Sequence, residues 1–382
     1  MINEDQRFIP ARLKEARLVR GLSINELASR VGLSKQAISQ YELGENEPKP
    51  STMMGIIREL DFPKSFFYKT YEEHIIGNTF FRASAAATKK NKEIQYNKSK
   101  LAGYIYDYLQ KYIEFPELNL PDLSSFDQAD WDDDSIEILA VNVRQFWGLG
   151  ENPINNIVNL MERNGIVVFS IDMESLKVDA FCQSRKGRPY IFLGNDKESA
   201  ARRQFDAAHE IGHRLMHNHI HNQDILSREE FKIIENQANR FASALLLPAE
   251  AFAKTVTSTK LIHFIELKKY WKVSIAAMLY RAQELGIIDQ SRYTSLLKQM
   301  SIHKMRSKEP LDDVIPVPKP ILLNKGIKML LQDNFKNELQ IINESGVPRE
   351  FIEMLCTMEK GSLKLKEIEP TLRLIVNNQK DA

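Results

Sequence analysis

Residues 26–44, ELASRVGLSKQAISQYELG, constrain the fold more than any other stretch of this chain. Two short helical patterns meet at one glycine. Leu27, Val31, Ile38 and Tyr41 recur at helical spacing and supply a small core. Ala28 lets the two helices approach closely, and Gly32 carries the backbone through a turn where a side chain would clash. Upstream, Ile9, Leu13, Ala16 and Val19 or Arg20 keep helical spacing until Gly21. Ser23 is a good N-cap, and Glu26 three residues on completes a capping box. Ser34 caps the next helix. After the turn-rich GENEPKP, Ser51 opens a fourth helix through Leu60. The pattern predicts a bundle of short helices over roughly the first 64 residues.

The outer face of the second helix of the pair is left with Lys35, Gln36, Ser39 and Gln40, side chains suited to base edges in a major groove. Basic residues of the first helix, Arg17 among them, are expected near phosphates, where they set register. With Ser23 and Ser34 at the helix starts, these residues form the expected DNA-contacting set. Charge agrees. From residue 6 to 40, seven basic residues (Arg7, Arg12, Lys14, Arg17, Arg20, Arg30, Lys35) meet two acidic ones (Glu15, Glu26). The whole chain, by contrast, carries 52 Lys and Arg against 51 Asp and Glu, so any nucleic-acid binding has to be local.

A second motif lies far downstream. His209-Glu210-Ile211-Gly212-His213 is HExxH, and on a helix the two imidazoles share one face and reach one ion. Glu210 is rotated about 100° from His209, close enough to touch a water bound to that ion. A catalytic zinc takes three protein ligands and keeps one position open. Glu235 is the candidate third ligand. It sits one turn before Ala238 on the apolar stripe Ala238, Phe241, Ala242, Leu245, and a carboxylate on a buried stripe needs a partner. Position 219 is His, but position 216 is Met where the pattern HExxHxxGxxH has Gly, so a metzincin site is not expected.

The fold class expected is mainly α with a small sheet (α+β). An N-terminal helix-turn-helix bundle precedes a zincin-like HExxH peptidase domain and a helical C-terminal tail. Three short strands are predicted, in IVVFSIDM, DAFCQS and RPYIFLG, the last two joined by a hairpin-like turn at SRKG. The boundaries are 1–68 for the DNA-binding bundle, 69–134 for a helical connector, 135–300 for the metal domain and 301–382 for a helical region of unknown role. No run of about 18 apolar residues and no signal-like start is present, which points to a cytoplasmic protein without membrane contact. Cys182 and Cys356 lie far apart outside any CxxC, so neither a disulfide framework nor a cysteine metal site is expected.

On ELASRVGLSKQAISQYELG, including its I-S-x-Y-E-x-G ending, residues 7 to about 64 resemble the helix-turn-helix of the Xre/Cro/C1 repressor family. On RRQFDAAHEIGHRLMH (202–217), ENQANRFASALLLP (235–248) and WKVSIAAMLYRAQELGII (271–288), the later chain resembles the ImmA/IrrE metallopeptidases. The FFR and FPELNLP segments resemble the version fused to an Xre-like domain. The resemblance implies Zn2+ held by His209, His213 and Glu235, with Glu210 as catalytic acid/base. It also implies a repressor of phage, mobile-element or stress genes as the substrate. A homodimer on a double-stranded operator is expected, because one such module buries only a modest interface. Two alternatives stand beside the peptidase. One is a regulator whose zinc domain senses a ligand or partner without proteolysis; the other is an antitoxin-like regulator of a toxin–antitoxin pair. His217, His219 and His221 read as a solvated loop, Lys89–Lys100 as a solvated helix face, Cys182 as strand packing or a redox-sensitive thiol, and Trp271 and Tyr280 as core.

Overall fold

A computed structural model describes residues 7–71, 76–83, 89–126, 131–173, 178–195, 199–218, 220 and 226–363. The first four helices are α1 (Pro10–Val19), α2 (Ile24–Val31), α3 (Lys35–Leu43) and α4 (Pro50–Leu60). Ser23 caps α2 in the expected capping box with Glu26, and the Ser34 side chain accepts the Ala37 N–H at the start of α3. Leu27, Ala28 and Ile38 are buried, with Val31 and Tyr41 packed at the margin. Gly32 adopts φ +70°, and a Cβ there would meet nothing within 4 Å. Its requirement is therefore the left-handed backbone, not the steric room anticipated from sequence.

The stretch 69–134 departs from an all-helical connector. Strand β1 (Ile76–Ala83) comes first, then α5 (Lys89–Leu109), then an extended loop. Beyond it run α6 (Asp133–Phe146), α7 (Ile157–Arg163), β2 (Val167–Ile171), β3 (Val178–Arg185) and β4 (Arg188–Gly194). The sheet has four strands, not three, in the order β1-β3-β4-β2; β1 and β4 run antiparallel to β3, and β2 runs parallel to β4. The FFR segment is the added strand. It pairs with β3 through registers such as Phe81 with Phe181, a partnership a hundred residues away that local pattern does not encode.

Because side chains alternate along strands, the sheet divides the interior. Phe169, Phe181, Tyr190 and Phe192 face one side, with Phe181 and Phe192 stacked at 4.5 Å. Val168, Ala180, Cys182, Ile191 and Leu193 face the other. Against the second face lie α8 (Ala200–Met216) and α9 (Arg228–Leu246), followed by α10 (Ala249–Thr255), α11 (Leu261–Trp271), α12 (Ile275–Glu284) and α13 (Gln290–Ile302). Trp271 is buried among them as expected, but Tyr280 is half exposed.

The first face shares its core with the N-terminal helices, α5 and the C-terminal helices α14 (Leu322–Leu331), α15 (Glu338–Ser345) and α16 (Arg349–Leu355). Helix α5 is central to that core, so Gln95, Asn97, Lys98 and Ser99 are buried rather than on the solvated face read from the lysine run. Phe351 of α16 lies against Phe62 just beyond α4, and Leu355 is buried. The C-terminal helices thus brace the α1–α4 bundle. Among the described residues no helix is long and apolar enough to cross a membrane.

Candidate functional site

Helix α8 starts at Ser199, whose side chain accepts the Arg202 N–H, and buries most of its length between the sheet and α9. The two helices approach closely at Gly212. A Cβ there would sit 3.0 Å from Phe241 Cδ1 and 3.3 Å from Ala238 Cα, so the glycine inside HEIGH sets the distance across which α9 reaches α8. One turn before Ala238, Glu235 extends to the histidines. Its carboxylate lies 3.1 Å from His213 Nε2 and 3.6 Å from His209 Nε2, and the two Nε2 atoms are 2.9 Å apart.

These three donors all lie within 4.8 Å of one another. A tetrahedral ion at zinc–ligand distances of roughly 2.0–2.1 Å separates its ligands by about 3.3 Å, and the three observed spacings bracket that value. The residues present therefore fit zinc. Glu210 is fully buried beside them, as are both histidines, whereas the Glu235 side chain is 17% exposed, so the cluster reaches solvent on its α9 side. Burial first, and the nearby Glu210 carboxylate second, push the Cys182 thiol upward. A thiol held protonated is a poor redox sensor, so its role is packing.

Partners outside the triad orient the rings. His209 Nδ1 is 2.9 Å from Asn239 Oδ1. His213 Nδ1 is 3.0 Å from His217 Nδ1, His217 Nε2 is 2.9 Å from Gln237 Oε1, and Gln237 Nε2 donates to the Trp131 carbonyl at 2.8 Å. His217 is 1% exposed, which overturns its reading as part of a solvated loop; His219 and His221 lie outside the described residues. A signal existed in the sequence. His217 follows His213 by four residues just as His213 follows His209, and Asn239 follows Glu235 by four, so each extends a stripe that already faces the site.

The residues expected from the sequence to contact DNA divide differently. Lys35 and Gln36 are exposed, and Ser39 and Gln40 are partly so, with Gln40 accepting from Asn46 Nδ2 at 3.2 Å. Ser23 and Ser34 are exposed but spend their side chains as helix caps. Arg17 is not available to phosphate. It is buried, donates to both carboxylate oxygens of Glu42 at 2.6 and 2.8 Å, and donates to the Leu22 carbonyl at 2.7 Å. Neighbouring cations are also committed. Arg12 pairs with Glu15 beneath Tyr104, Arg20 bonds Glu350 of α16, and Arg30 meets Glu59 at 3.1 Å. Much of the basic excess seen in sequence thus holds the fold together.

Residues 13–67 match a helix-turn-helix family, and residues 161–283 match the IrrE N-terminal-like domain. No curated protein matched the chain. Among solved structures, a Mycobacterium tuberculosis transcriptional regulator is similar at 18% identity and a TM-score of 0.30, over 49% of this chain and 51% of that one. The chain therefore spans about half the length of that regulator.

Proposed function

We propose, from the premise that this chain joins a helix-turn-helix domain to an IrrE N-terminal-like domain, that it is a DNA-binding regulator carrying a zinc-dependent endopeptidase. The observation that carries the reading is the convergence of His209, His213 and Glu235, from two helices, on one point. These residues would hold zinc. When bound, the ion supplies Lewis-acid polarisation of a scissile carbonyl and acidifies water. Glu210, next to His209 on α8, accepts the proton of the attacking water and returns it to the leaving amide nitrogen. Burial of His209, Glu210 and His213 strengthens the electrostatic interactions among them, while the Glu235 side leaves the cluster open to solvent. The substrate is a repressor protein of a phage, mobile-element or stress regulon. Lys35, Gln36, Ser39 and Gln40 read operator bases, and two copies of the chain occupy paired half-sites.

The test mixes purified protein, zinc and candidate repressors. The expected result is one specific cut, abolished by chelator and by Glu210→Gln. Cleavage by Glu210→Gln at the wild-type rate removes Glu210 from the acid/base role. A second reading, a sensor without proteolysis, is favoured by the core that the DNA-binding bundle shares with α5 and the C-terminal helices. Under that reading zinc changes operator affinity while no repressor is cut.

A further inference from the structure

We infer that His217 and Gln237 are positioning residues that lock His213 in the tautomer able to bind metal through Nε2. The inference rests on the zinc reading for its consequence, but its geometry stands alone.

The chain of contacts starts at the Trp131 carbonyl. The Trp131 carbonyl only accepts, so the Gln237 atom 2.8 Å from it is the amide NH2. That fixes the Gln237 side chain, and its oxygen faces His217 Nε2 at 2.9 Å. An amide oxygen only accepts, so His217 carries its proton on Nε2 and presents a bare Nδ1 lone pair. That lone pair lies 3.0 Å from His213 Nδ1, so His213 donates Nδ1–H and keeps a bare Nε2. The bare Nε2 is the atom 3.1 Å from the Glu235 carboxylate and 2.9 Å from His209 Nε2. One backbone carbonyl therefore sets the proton position on a ring three links away. Trp131 is itself held, since its indole N–H donates to the Met216 carbonyl at 3.2 Å, next to His217. The relay closes on the helix it serves. His209 has a shorter arrangement of its own, through Asn239.

Without this relay His213 would choose freely between tautomers, and the Nε2–H form cannot donate a lone pair to an ion. Losing such outer partners typically weakens metal affinity about 10–100-fold.

The experiment uses the full chain with 15N-labelled histidine and zinc competed against a chelator of known affinity. In wild type, multiple-bond 15N–1H spectra should show His217 as the Nε2–H tautomer. His217→Phe should bind zinc about 10–100-fold more weakly, and His217→Asn, which restores a carbonyl acceptor, should recover much of that loss. Gln237→Leu should give a smaller loss and a mixed His217 tautomer; it also serves if the phenylalanine variant does not fold. An Nδ1–H tautomer at His217, or wild-type zinc affinity in both His217→Phe and Gln237→Leu, overturns the relay. If wild type takes up no zinc while His217 is the Nε2–H tautomer, the relay stands and the peptidase reading fails.

Discussion

The α1–α4 bundle and the α8–α9 site treat charge in opposite ways. In the bundle, cations that look available in sequence are tied to neighbours: Arg17 to Glu42, Arg20 to Glu350, Arg12 to Glu15. Between α8 and α9, two imidazoles and a carboxylate are aimed at one point, and their outer edges are already engaged by Asn239 and His217. The contrast shows where function is to be sought. Polar groups that satisfy one another serve the fold, whereas donors that converge from separate elements demand something further.

The sharpest break in the comparison comes from the site. Glu210→Gln should leave zinc content unchanged and lower repressor cleavage about 10²–10⁴-fold, the usual worth of a positioned acid/base; retained cleavage in a gel assay contradicts the assignment. In the bundle, Arg17→Ala should act on stability and not on phosphate contact. It strands Glu42 in a buried setting, so denaturant unfolding should show a loss of about 3–5 kcal/mol. A normal unfolding curve with weakened DNA binding would return Arg17 to the operator face.

The contact of α7 with α14, where the two hydrophobic cores meet, offers a third test. Glu162 of α7 accepts N–H groups of Ile321 and Leu322 at the start of α14, at 3.0 and 2.9 Å. Burial pushes its carboxyl up to about 7, against the opposing pull of those N–H groups. A carboxyl raised on folding binds more protons folded than unfolded, so its contribution is complete below the ordinary value of 4.5 and lost as pH rises through about 7. Relative to Glu162→Gln, the wild type should lose about 3 kcal/mol of stability over that window. Parallel pH profiles for the two proteins would sink this. The smallest effect belongs to the exposed face of α3. Lys35→Ala or Gln36→Ala should cost about 1–3 kcal/mol in operator affinity, with Lys35→Ala also reducing the salt slope by about 1; unchanged footprints would move the DNA-reading surface elsewhere.

Local signals carried much of this architecture in the sequence. Caps at Ser23 and Ser34, the stop at Gly32 and the spacing of His209 with His213 are short-range features, and each is present where expected. Glu235 was legible because a carboxylate interrupts an apolar stripe. What stayed hidden depends on partners distant in the chain. Strand β1 exists through its pairing with β3, the burial of α5 through the helices around it, and the engagement of Arg17 through Glu42. A charge count cannot separate a cation facing solvent from one neutralised by a later helix. His217 is hidden for the opposite reason: it sits where the helix gives way to a polar loop, while its spacing of four from His213 continues the helix stripe.

The most direct test of the account is zinc stoichiometry and affinity in the metal-reconstituted wild type and in Glu235→Ala. Two histidines and the α9 carboxylate acting together predict close to one zinc per chain in wild type, and a large loss of affinity in the variant with its helix content intact. A wild type that retains no zinc, or a Glu235→Ala protein that binds it as tightly as wild type, would contradict the claim that α8 and α9 converge to hold a metal ion.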